Sequence, residues 1–132
     1  MPELVELPEL HVMYVESDRG LAGASEAFDR LEARFPSLRG RKFYGTFQPP
    51  DGPYRACVVI EASDDATALG LPTWTIPGGK FSRRKLMNWA DNMPEIGKSF
   101  RRMSEASEHD SRRPSIEFYR SQKELILFLP VK

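Results

Sequence analysis

The sequence is poor in the residues that most often carry covalent or metal chemistry. Its 132 residues include one cysteine, Cys57, and two histidines, His11 and His109. A single thiol excludes an internal disulfide and fits a reducing, cytoplasmic setting. The histidines stand too far apart for a local metal pair, and Cys57 has no second thiol, so no metal or cofactor is expected. No histidine is placed by spacing to activate Cys57, which reads as a small buried apolar residue rather than a nucleophile. No apolar run approaches the roughly 20 residues of a membrane helix, so no membrane contact is expected. The opening MPELVELPEL carries three glutamates and no early basic run, unlike a signal peptide. Gly78-Gly79-Lys80 lacks the leading glycine and the following Ser/Thr of a phosphate loop.

Net charge is also missing: 19 basic side chains balance 19 acidic ones. The balance hides a gradient. Residues 1–66 hold 7 basic and 12 acidic side chains, a net of −5, and residues 67–132 hold 12 basic and 7 acidic, a net of +5. The basic half has neither interleaved aromatics nor a recognition-helix pattern. Mutual attraction of the halves and solvated faces are expected, rather than direct nucleic-acid binding. The run Arg83-Arg84-Lys85 reads as a solvated helix start able to steer anions.

What is present is a doubled pattern. The length suits one domain over residues 1–132. Strand, helix, strand and strand follow in order from about His11 to Ala62, and again from about Thr73 to Val131. In the first copy Val12–Val15 is strand-like. Ala24, Ala27, Phe28, Leu31 and Phe35 then share a helical face that Pro36 ends. KFYGTF (42–47) and YRACVVIEA (54–62) read as strands, separated by the loop Gln48–Pro53. In the second copy TWTIP (73–77) opens and Gly78-Gly79 turns. Leu86, Trp89, Ala90, Met93, Ile96, Phe100 and Met103 hold a helical period, with a kink or a fresh helix start at Pro94. SIEFYRS (115–121) and LILFLPV (125–131) close the pattern. The expected fold is α+β: two pseudo-symmetric repeats forming an antiparallel sheet, with both helices on one face.

Two strands break the alternation such a sheet should show. LILFLPV is apolar on both faces, and YRACVVIEA is nearly so. The face away from the helices therefore needs cover, from a partner copy, a loop, or an apolar ligand in a groove. Tyr14, Tyr44, Phe47, Trp74, Tyr119 and Phe128 all fall in expected strands. With Trp89 they are the candidate ligand contacts. Glu117 is the sharpest single residue, because it lies mid-strand between Ile116 and Phe118 and shares a face with Tyr119. A carboxylate among aromatics needs compensation. Three roles are open: a salt bridge to Arg55 or Arg120, the counter-charge of a cationic ligand, or a general base.

The doubled plan, the segment LPTWTIPGGKFSRRKLMNWADNMPEIGKSFRRM and the ending RPSIEFYRSQKELILFLPV together resemble the GyrI-like small-molecule-binding domain, over about residues 5–132. That family is similar to the effector-binding domains of AraC- and MerR-type multidrug regulators, and more distantly to the SOUL haem-binding proteins. The resemblance implies a central cleft between the repeats, lined by aromatics, with a buried glutamate that meets cationic, amphipathic ligands. Glu117 matches that glutamate, and Glu124 is the second choice. Relatives often carry an acidic residue inside the last strand, and LILFLPV has none. The ten residues ahead of His11 leave no room for the regulators' helix-turn-helix, so a stand-alone binder is expected, as monomer or homodimer. The resemblance also implies alternatives: hydrolysis of reactive cyclopropane-bearing toxins with Glu117 as catalytic residue, a gyrase-inhibitor-like protein contact, and haem binding.

Overall fold

Prolines, glycines and charged turns cut the chain into short elements. A computed structural model describes residues 3–49 and 52–132. Among these residues lie strands β1 (Glu3–Leu7), β2 (Leu10–Glu16), β3 (Phe43–Phe47), β4 (Tyr54–Val59), β5 (Thr73–Ile76), β6 (Gly79–Met87), β7 (Ser115–Tyr119) and β8 (Glu124–Pro130). The helices are α1 (Ala24–Glu32), α2 (Ala66–Leu69) and α3 (Pro94–Ala106). None is long and apolar enough to cross a membrane. The loop expected over Gln48–Pro53 falls partly on residues 50 and 51, which lie outside the described residues.

The strands form one curled antiparallel sheet in the order β1-β6-β8-β7-β3-β4-β2-β5. The order reads the same from both ends. β6-β8-β7 and β2-β4-β3 are equivalent trios that meet where β7 pairs with β3, in the register Phe43↔Tyr119, Gly45↔Glu117 and Phe47↔Ser115. This β3–β7 pair is the seam between the repeats. β1 and β5 extend the two outer edges.

The second repeat begins later than the sequence pattern suggests. TWTIP does form a strand, but β5 pairs with β2 at the edge of the first half. The strand equivalent to β2 is β6, which contains Arg83-Arg84-Lys85, so that run is not a helix start. Leu86 satisfies both a helical and an alternating period, which explains the misreading. Alternation governs, because Phe81 enters the core of one face while Ser82 and Leu86 are buried on the other. Asn88 then takes a left-handed conformation (φ 53) and ends the strand. α3 starts at Pro94, whose missing N–H costs nothing at the first helical position. β1 was not expected, because a five-residue strand with two glutamates barely registers as a pattern.

Both long helices lie on one face. Ala27 and Leu31 of α1 cover Met13, Ala56 and Val58. Ile96 and Met103 of α3 cover Leu86, Leu125, Leu127 and Leu129. The other face covers itself. Because the sheet curls, Val12, Cys57 and Ile76 from one half join Phe81, Ile116, Ile126 and Phe128 from the other in a single core. That accounts for the doubly apolar strands. A cavity of about 260 Å³ remains there, beside Tyr44, Phe118 and Phe128.

Candidate functional site

α1 and α3 each cover the outer part of a trio and leave the seam uncovered on the helix face. The floor of this strip alternates out of β3 and β7: Phe43, Gly45 and Phe47 from one, Ser115, Glu117 and Tyr119 from the other. Glu117 is only 9% exposed. Its register partner Gly45 has no side chain, and the empty space is used. A Cβ at Gly45 would overlap the Tyr54 hydroxyl and come within 2.6 Å of Glu117 Oε1.

Two phenols hold the carboxylate. Tyr54, fully buried on β4, donates to Glu117 Oε1 at 2.7 Å. Tyr119 donates to the same oxygen at 2.8 Å. Among the described residues no hydrogen bond reaches Oε2, and no cation pairs with the group. Burial pushes the Glu117 carboxyl above its ordinary range, and the two phenolic hydrogen bonds pull it partly back. Burial, then the neighbouring negative charge, raises both tyrosines. The phenols therefore stay protonated and act as donors.

The two cations expected as partners are engaged elsewhere. Arg55 meets Glu16 at 3.0 Å on the opposite face, between the rings of Tyr14 and Trp74. Arg120 lies 3.5 Å from Glu124.

Above the seam, between α1 and α3, runs a cleft of two lobes that share Ala24, Met93 and Tyr119. The lobe over Glu117 measures about 380 Å³ and is walled by Leu21, Phe47, Tyr54, Ile96 and Phe100. The other, about 430 Å³, is walled by Phe28, Phe43 and Trp89, with Asp29, Glu32 and Gln122 at its edge. Tyr119 stands between them in edge-to-face contact with Phe28 (5.0 Å) and Trp89 (5.1 Å). Neither lobe is lined by a lysine or arginine among the described residues. A carboxylate beside aromatic faces, without a protein cation, suits a positively charged ring system. A carboxylate with a raised proton affinity beside space for water also has the make-up of a general base.

Of the residues singled out from sequence, the cleft brings together Glu117, Tyr119, Phe47 and Trp89. Tyr14 and Trp74 lie on the opposite face, packed edge to face at 6.2 Å. Tyr44 stacks on Phe118 at 4.7 Å and, with Phe128, lines the cavity inside the curled sheet. Glu124 opens β8 on the face of Ile126 and Phe128, away from Glu117, and is met by Lys85 and Arg120. Sequence reasoning missed Tyr54, Gly45 and Phe28. Tyr54 was visible only as the first residue of a strand, and Phe28 only as one member of an amphipathic stripe. Gly45 was visible as a glycine inside a strand, which often marks close approach by another group.

No protein-family model matches the sequence, and no curated protein does either. Solved structures share the fold over nearly the whole chain. SAV2435 bound to tetraphenylphosphonium superposes with a TM-score of 0.62 at 14% identity, over 100% of this chain and 94% of that one. An integron cassette protein from the mobile metagenome of Vibrio cholerae gives 0.66 at 15% identity, over 98% and 95%. A hydrolase from Listeria innocua gives 0.59 at 14% identity, over 99% and 91%. At these identities the likeness establishes a common α+β fold.

Proposed function

We propose that this chain is a GyrI-like small-molecule-binding protein that captures aromatic cations in the cleft between α1 and α3, with Glu117 as counter-charge. One observation carries the reading: Glu117 is a buried carboxylate held by Tyr54 and Tyr119, with no protein cation beside it among the described residues, and it lines an aromatic lobe. A buried charge without a counter-ion is costly, and a cationic ligand recovers that cost on binding. Aromatic faces add cation–π attraction. The solved structure of SAV2435, which shares this fold, holds tetraphenylphosphonium, a cation of this class.

Titration with tetraphenylphosphonium tests the reading. The protein has two tryptophans, and Trp89 lines the cleft while Trp74 lies on the far face. Binding should change Trp89 fluorescence and leave a Trp89→Phe variant silent. Glu117→Gln keeps the shape, removes the charge, and should weaken binding at least tenfold, or about 1.4 kcal/mol. Equal affinity in the two proteins would refute the site.

A second reading is favoured by the raised proton affinity of Glu117 and by the fold shared with the Listeria innocua hydrolase. In it, Glu117 takes a proton from water while the phenols hold the carboxylate in place. Mass spectrometry of a cyclopropane-bearing electrophile decides it. Product forming no faster than in buffer excludes this chemistry.

A further inference from the structure

The cleft is negative at two ends. Glu117 marks one lobe. In the other, Ser25, Phe28, Asp29 and Glu32 recur at i, i+3, i+4 and i+7 on α1, which puts them on one helical face. Neither Asp29 nor Glu32 forms an ion pair among the described residues, although many of the chain's exposed carboxylates do, including Glu16, Asp18 and Glu26 of the same region. Glu32 is half-buried, and burial and the adjacent Asp29 both raise its carboxyl above the ordinary range. Two carboxylates held close together without a cation repel each other, and a bound positive charge relieves that repulsion.

The acidic edge belongs to the lobe that adjoins the one over Glu117 through Ala24, Met93 and Tyr119, and Glu117 is itself nine-tenths buried and has no cationic partner among the described residues. Ala24 touches both lobes, and Glu32 lies eight residues further along α1, roughly 12 Å at 1.5 Å per residue. The lobes together exceed what one compact cation fills. Tyr119, flanked by Phe28 and Trp89, offers ring edges to anything passing between them.

We infer that the preferred ligand class is an elongated aromatic dication, one charge against Glu117 and the other against Asp29 and Glu32, with its apolar middle crossing Tyr119. This rests on the cation-binding reading above and extends it to the substrate class. A compact monocation held at Glu117 reaches as far as Tyr119 and its neighbour Trp89 but not Asp29 and Glu32. A dication reaches both poles.

Two probes separate these cases: tetraphenylphosphonium, and pentamidine, which carries two benzamidinium groups on a flexible linker. Both are titrated calorimetrically, at fixed ionic strength, into the wild type, a double Asp29→Asn/Glu32→Gln variant, and Glu117→Gln. The double variant should bind pentamidine about five- to tenfold more weakly and tetraphenylphosphonium within twofold of wild type. Glu117→Gln should weaken both. Pentamidine should bind as one molecule per chain. The double variant alters only exposed and half-buried helix positions, and unchanged circular dichroism verifies its fold. Pentamidine affinity that does not fall in the double variant, or falls in step with tetraphenylphosphonium, overturns the dication inference alone. Failure of tetraphenylphosphonium to bind the wild type overturns the cation reading, and the inference with it.

Discussion

Gly45→Ala is a sharp test of how the site is built, because ordinary expectation and this structure give opposite signs. Gly45 sits inside β3 without a positive φ, so alanine suits its backbone. Replacing a strand glycine at such a position normally stabilises by about 0.5–1 kcal/mol, through the lost freedom of the unfolded chain. Here the new methyl would overlap the Tyr54 hydroxyl and stand 2.6 Å from Glu117 Oε1 and 2.9 Å from Tyr54 Cζ. Tyr54 is fully buried and its hydroxyl is bonded to Glu117, so it cannot yield without giving up that bond. Overpacking of this kind costs about 1–3 kcal/mol, and a displaced hydrogen bond to a charged group about 1.5–3 kcal/mol. After the backbone gain is subtracted, a net loss of about 1.5–5.5 kcal/mol is expected. Urea unfolding followed by circular dichroism should show it as a midpoint lower by about 1 M or more. The cause is isolated by repeating Gly45→Ala in a Tyr54→Phe background, where the clashing oxygen is gone. The alanine should then cost at least about 1 kcal/mol less. A stabilised Gly45→Ala protein, or costs that add to within about 0.5 kcal/mol, would refute the close packing of Gly45, Tyr54 and Glu117.

Three further outcomes are expected. The Glu117 carboxyl is raised above 4.5 in the folded protein, so the native state holds that proton more tightly than the unfolded chain does. Wild-type stability should therefore fall, relative to Glu117→Gln, as pH rises from 4.5 through the raised value, while cation affinity rises over the same window; parallel stability curves for the two proteins would contradict the raised carboxyl. Arg113 donates to the carbonyls of Gly78, Lys80 and Val131, pairs with buried Asp110 at 3.0 Å and lies 4.8 Å from the Phe81 ring centre. The Lys80 carbonyl also accepts the Val131 N–H, so Arg113→Met deprives the carbonyls of Gly78 and Val131 and the Asp110 carboxylate of a donor, and it should cost about 2–4 kcal/mol with tetraphenylphosphonium affinity unchanged. Burial pushes the Cys57 thiol up to about 12, so a thiol reagent at neutral pH should label it only after denaturant is added, and rapid native labelling would show that the sheet interior is open.

Much of the fold was legible because its strands and helices have strong periods. α1, β3, β4, β7 and β8 lie where alternation, a helical stripe and proline stops put them. β6 was not legible, because Leu86 joins a run of residues at helical spacing that begins inside a strand. The candidate site was legible to about the extent that one strand can reveal it. Glu117 and Tyr119 are two residues apart, so they must share a face. Tyr54, in a different strand, had no such tie. Its hydroxyl meets Glu117 because β3, lying between β4 and β7, presents a glycine at that register. The aromatics illustrate the same limit. Period 2 sorts Tyr44 from Phe43 and Phe47 within β3, yet it does not say which set the helices cover.

By itself, the sequence determined that the chain is doubled, that its sheet is apolar on both faces, and that one carboxylate shares a strand face with a tyrosine. These are local properties, written in the spacing of residues along single elements. Only the tertiary structure decided what covers each face. The curl of the sheet folds one face onto itself and takes Tyr14, Tyr44, Trp74 and Phe128 with it. The two helices leave the seam of the other face open, and with it Glu117. Cross-strand register and sheet curvature depend on the packing of residues far apart in the chain, and periodicity within one strand carries no record of them.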